Sequence, residues 1–263
     1  MSYSKERLKY LKKIRKEKII VFSMQILLFI AFIFLWELFA RLKIINTFLT
    51  SSPSKIISTL VNLYNTNNLF NHISITVYET ILSFTLSILI GIVVASILWW
   101  NNLLSKIIDP YLTILNSLPK VALGPIIIIW IGADMNSIIF MALLISSIIS
   151  IITIYDGFKN TDIEKIKLMR SLNATKFQIF TTLILRGNVD TIISSLKINI
   201  SMSLIGVVMG ELLVSKEGIG YLIMYGSQVF NLNLVMTGII LLVIISCILY
   251  YLISYLERKL VRN

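Results

Sequence analysis

The sequence predicts an all-α integral membrane protein with six transmembrane helices. Three observations predict it. Of 263 residues, 57% are hydrophobic and 14% charged, more apolar surface than a soluble domain of this size covers with polar groups. The apolar residues gather in six runs, each near the ~20 residues that a bilayer-crossing helix needs. The basic residues lie mainly between these runs. Backbone groups in lipid must bond within their own segment, so the runs are helices; the alternating pattern of a membrane barrel is absent.

The formal charge is +11, from 24 Lys/Arg against 13 Asp/Glu. In a soluble protein that balance suggests nucleic acid. Here the cations flank apolar spans, which points to loops facing anionic lipid and to no nucleic-acid partner.

The chain opens with MSYSKERLKYLKKIRKEK, a basic tail over 1–18 with eight Lys/Arg. The run over 19–40 is longer than a signal-peptide core and lacks a small-residue cleavage pattern. It reads as a retained first span that begins a single six-span domain over 19–263. The other spans are expected at 75–100, 111–131, 137–157, 189–213 and 234–256. With the N-terminus inside, inner segments hold eighteen Lys/Arg and outer segments four, which places both termini in the cytoplasm.

The third span opens NSLPKVALGPIIIIW. Pro119 and Pro125 interrupt the hydrogen-bond ladder, and Gly124 loosens it further. With Lys120 they are candidates for a gate. Segment 161–186 is charged and amphipathic between two spans. Thr161-x-x-Glu164 and Thr175-x-x-Gln178 fit capping boxes, so two short helices meet at a corner near Asn173. Ile163, Ile166, Met169 and Leu172 form one apolar stripe, and Phe177, Phe180, Leu183 and Ile184 another. Such an elbow either lies on the inner leaflet or docks a cytoplasmic partner.

The fifth span is the most polar. Ser194, Ser195, Lys197, Asn199, Ser201 and Ser203 fill its inner half, which suits packing or the lining of a pathway. Gly206 and Gly210 form a G-x-x-x-G for close helix approach. Glu211 lies deep or near the outer mouth, and an intramembrane acid is a functional candidate. Glu79 and the other acids near spans sit where a carboxylate reaches water. IGYLIMYGSQVF over 219–230 is too short to cross and suits an interfacial or re-entrant helix.

No phosphate-binding loop, dinucleotide fingerprint, zinc motif or G-x-S-x-G occurs in the sequence. The single cysteine, Cys247, reads as a small buried hydrophobe, and the single histidine, His72, as an incidental loop residue. No catalytic or metal site is expected, and uphill transport draws on a partner or an ion gradient.

WEL at 36–38, SPS at 52–54, SLPKVALGPIIIIWIG at 117–132 and VVMGELLVSKEGIGYLI at 207–223 resemble the permease subunits of ATP-binding-cassette importers of the sulfonate, taurine, nitrate and thiamine-precursor kind. The resemblance covers about Trp36 to the end. It implies a type I importer permease fold. It also implies two ATPase subunits that bind the ATP, a second permease copy (homodimer or heterodimer) and an extracytoplasmic solute-binding protein. In that family the elbow carries the E-A-A motif and seats in the ATPase. Its docking residues here would be Ile163, Ile166, Lys167, Met169, Arg170, Leu172, Asn173, Ala174, Lys176, Phe177 and Phe180. Pathway or gate residues would be Pro119, Lys120, Gly124, Pro125, Ser195, Asn199, Ser203 and Glu211. The motif departs from the family pattern: Lys167 replaces the glutamate, Asn173 the corner glycine and Arg186 the following proline. Two other classes stay open at this point: an ion-coupled secondary carrier, and a membrane scaffold or sensor.

Overall fold

A computed structural model describes residues 5–66 and 68–261. The start of the basic tail, residues 1–4, lies outside the described residues, as does Arg262. The described chain is helical, with no strand among the described residues. α1 spans Lys5–Arg41, α2 Pro53–Asn65, α3 Asn68–Trp100, α4 Asn102–Ser117, α5 Gly124–Ile131, α6 Met135–Lys159, α7 Ile163–Ser171, α8 Lys176–Leu185, α9 Val189–Val214, α10 Ile219–Gln228 and α11 Leu232–Val261. α8 becomes π-helical from Ile179 onward.

Among the described residues five helices are long and apolar enough to cross a membrane, and the bent pair α4–α5, taken as one span, brings the number to six. The third span differs from expectation. It starts at Asn102, not 111, and bends by 89° between its two halves. Leu118 is extended and Pro119 lacks an N–H, so the ladder stops there. A tight turn over Lys120–Leu123 follows, and Pro125 sits in the first turn of α5, where a missing N–H costs nothing.

The core is the trio α3, α6 and α9, each packed along the other two. Small residues allow this. A Cβ added at Gly206 would lie 2.4 Å from the Ala142 Cα, and one at Gly91 would lie 2.1 Å from the Ser150 Oγ. The helix–helix role read from G-x-x-x-G therefore holds, with α6 as the partner. α10 and α11 pack beside α9. α1 meets the bundle near its end, where Glu37 pairs with Arg41 and accepts from the Ser54 N–H at 3.1 Å. Ser52 caps α2 ahead of Pro53, and the Ser51 hydroxyl donates to Asn233 Oδ1 at 2.8 Å, tying this entry to α11.

Two smaller expectations change. Cys247 is exposed on α11, because its helix turns that face outward from the trio. The segment after Gly218 is not merely interfacial. α10 buries Ile219, Gly220, Leu222 and Gly226 against its neighbours, while Tyr221 and Tyr225 stack at 5.9 Å.

Candidate functional site

Two corners hold the residues of interest, at opposite ends of the bundle. The first is the elbow α7–α8. Asp162, not Thr161, caps α7: its Oδ1 accepts from the Glu164 N–H at 2.9 Å. Thr161 is drawn off by Asn188, whose Nδ2 donates to its hydroxyl at 2.8 Å. The second capping box forms as expected, with the Gln178 Oε1 accepting from the Thr175 N–H at 2.8 Å. Asn173 takes a left-handed φ of 57° at the corner, a conformation asparagine tolerates better than most residues.

The elbow has two faces, and they divide the expected stripes. Ile166, Met169 and Ala174 on one side, and Phe180 and Ile184 on the other, pack inward on a cluster with Ala95, Leu98, Tyr155 and Phe158. Phe180 meets Trp99, Trp100 and Phe158 edge or tilted at 5.1 to 6.0 Å, arrangements that aromatic quadrupoles favour. Leu168, Leu172 and Phe177 stay 60, 73 and 64% exposed. The outward apolar face is therefore Leu168–Leu172–Phe177, with Ile163 at its start and Lys167 beside it. Lys176 reaches back, its Nζ donating to the Trp100 carbonyl and lying over the Trp99 and Trp100 rings.

The second corner joins α9 to α10. Gly218 holds φ 98°, and a Cβ there would meet the Glu211 carboxyl at 2.3 Å. Glu211 is 1% exposed. Its Oε1 accepts from the Thr76 hydroxyl at 2.6 Å and its Oε2 from the Gly220 N–H at 2.6 Å. The Thr76 hydroxyl in turn accepts from the Ile219 N–H at 2.9 Å, and His72 Nδ1 from the Gly218 N–H at 3.0 Å. The first amides of α10 are thus satisfied by side chains of α3 and α9. His72 belongs to α3 and to this lock; it is not an incidental loop residue.

Glu79 is also buried, not solvated as its place in the sequence suggests. It faces Glu211 within hydrogen-bonding reach. No spacing rule joins positions 79 and 211, so sequence reasoning had no signal for the pair.

The expected pathway residues scatter. Ser195, Asn199, Ser203 and Glu211 are buried in this chain. Their size and polarity serve close packing there: the Ser195 hydroxyl donates to the Ile192 carbonyl, and Asn199 Nδ2 to the Ser195 carbonyl. Gly124 is buried where a Cβ would lie 2.5 Å from Leu213 Cδ1. Pro119 and Pro125 are exposed at the bend, and the Lys120 Nζ donates to the Asn116 carbonyl at 3.1 Å. Lys197 pairs with Glu257 on α11.

Comparison with known proteins follows the same outline. The model of the family described as "Binding-protein-dependent transport system inner membrane component" matches residues 87–262. The formylaminopyrimidine transport permease protein ThiX of Halalkalibacterium halodurans is 29% identical over 74% of this chain and 77% of its own. The putative aliphatic sulfonates transport permease protein SsuC of Bacillus subtilis is 26% identical over 87% and 83%. A solved bacterial ABC transporter that imports the acidic polysaccharide alginate superposes with a TM-score of 0.64 at 15% identity, covering 95% of this chain and 99% of that one.

Proposed function

The chain belongs to the binding-protein-dependent transport system inner membrane component family, and from that premise we propose that it forms the solute path of an ATP-driven importer, levered by a separate ATPase docked on the elbow. It is a multi-pass membrane protein and an ABC transporter permease. ATP binding and hydrolysis are assigned to the partner, and the elbow to the cytoplasm, on the eighteen-to-four bias of basic residues.

One observation carries the docking reading: the outward stripe Leu168–Leu172–Phe177 sits on a corner whose other face is anchored on the spans. A helix pair held that way passes a push on its outer face to α3 and α6 without bending at the joint. Lys167 beside the stripe favours an ATPase groove whose charge complements it. The alternating states of transport would then swing the bent α4–α5 pair, whose large apolar side chains Ile129 and Trp130 are 80 and 77% exposed, against a second copy of the chain. A solute-binding protein delivers the cargo at the opposite end.

The relatives named for formylaminopyrimidine and for aliphatic sulfonates support a small organic solute. ATP-dependent uptake into vesicles carrying this chain, its ATPase and its binding protein tests the reading, with formylaminopyrimidine, taurine and an alkanesulfonate as cargo. Accumulation of one of them that needs ATP and ignores a collapsed ion gradient is the expected result. Uptake driven by a proton or sodium gradient without ATP would make the chain a secondary carrier.

A further inference from the structure

Beneath the elbow lies a cavity of about 520 Å³. It opens beside the contact of the inner face of α7–α8 with the ends of α3 and α6. Lys159, Arg170 and Lys176 line it with Trp99, Tyr155 and Phe158, and no carboxylate lines it. None of the three cations is ion-paired among the described residues. Each is fixed by its backbone: Lys159 ends α6, Arg170 lies in the last turn of α7, and Lys176 opens α8 behind the Thr175 cap. Lys176 is held further by the Trp100 carbonyl and the two indole faces. Three like charges around one space repel unless an anion sits among them.

The level of the cavity identifies the anion. Trp99 and Trp100 end an apolar span, the height at which tryptophan meets lipid head groups. Asn102 lines the cavity, and beside it Leu103 and Ile107 of α4 are 71 and 52% exposed, an apolar wall running from the cations into the bilayer. A free phosphate has no use for that wall; an acyl chain covers it. We propose that the cavity binds the phosphate of an anionic phospholipid, with Lys159, Arg170 and Lys176 around the head group and the acyl chains along α4. The leaflet follows from the proposed cytoplasmic placement of the elbow; the site itself does not depend on it. A lipid so placed wedges the joint between elbow and spans, so the coupling of ATPase to pathway depends on anionic lipid.

The full-length chain carrying Trp36→Phe and Trp130→Phe retains Trp99 and Trp100 as the indoles of its four. In phosphatidylcholine vesicles, brominated phosphatidylglycerol is expected to quench them at a several-fold lower mole fraction than brominated phosphatidylcholine. Lys159→Gln with Arg170→Gln should bring that preference close to parity, while Lys165→Gln, outside the cavity lining, leaves it unchanged. Equal quenching by the two lipids, or an undiminished preference in the double variant, overturns the site. Loss of the preference under excess inorganic phosphate overturns the lipid assignment in favour of a free anion. Binding is read without transport, so normal ATP-driven uptake with no lipid preference would sink this inference alone.

Discussion

At Asn173 and at Gly218 the chain turns between two helices, with φ of 57° and 98°, yet the two corners are held by different means. The elbow at Asn173 is capped from within: Asp162, Thr175 and Gln178 satisfy amides two or three residues away. The corner at Gly218 is capped from a distance, by Thr76 and His72 of α3 and by Glu211 of α9. Local capping leaves a whole face unspent, and that face leaves leucine and phenylalanine exposed. Distant capping consumes side chains of two other helices and buries two carboxyl groups. The first arrangement suits a lever, the second a fixed point.

If that contrast is right, the largest effect comes from unsealing the fixed corner. Glu211→Ala strands the Thr76 hydroxyl and the Gly220 N–H in a buried site, a loss of about 3–5 kcal/mol on the scale of broken buried polar pairs. Thermal melting in detergent should fall sharply. Glu79→Gln sharpens the point: Glu79 caps no amide of α10, so melting should shift by less than ~1 kcal/mol in equivalent stability. A loss as large as that of Glu211→Ala would show that Glu79 also holds the corner.

Next in size is Phe177→Asp on the lever. Placing a charge in the centre of a docking stripe is expected to cost about 2 kcal/mol, near thirtyfold in ATPase affinity, with melting of the isolated permease unchanged. Met169→Asp separates the faces. Met169 packs toward the chain's own core and takes a contact from the Thr182 hydroxyl at 3.7 Å, so its loss appears as lower melting before ATPase is added. The smallest effect is Thr175→Ala, about 1 kcal/mol of elbow stability from the lost cap, read as faster amide exchange over 176–180.

The same contrast explains what the sequence revealed. Six spans were legible because bilayer thickness imposes a run length, and the elbow was legible because its caps are neighbours in the chain. The kink in the third span was legible from Pro119, though not its 89° angle or its start at Asn102, which packing decides. The division of the elbow's stripes was not legible: Ile166 and Leu168 lie two residues apart on a short helix, and only the position of Phe158 and Leu98 tells which turns inward. The polar side chains of α9 suit packing or pathway lining by composition, because a buried serine carries the same letter as one facing water. His72, Glu79 and Glu211 meet only through the fold.

The lever is tested most directly by single cysteines at Leu172, Phe177 and Met169 in a Cys247→Ser background, reacted with a thiol probe before and after ATPase is added. Positions 172 and 177 should label quickly in the free permease and become protected in the complex, while 169 labels slowly in both. Equal labelling of 172 and 177 with and without the ATPase, or fast labelling at 169, would contradict it.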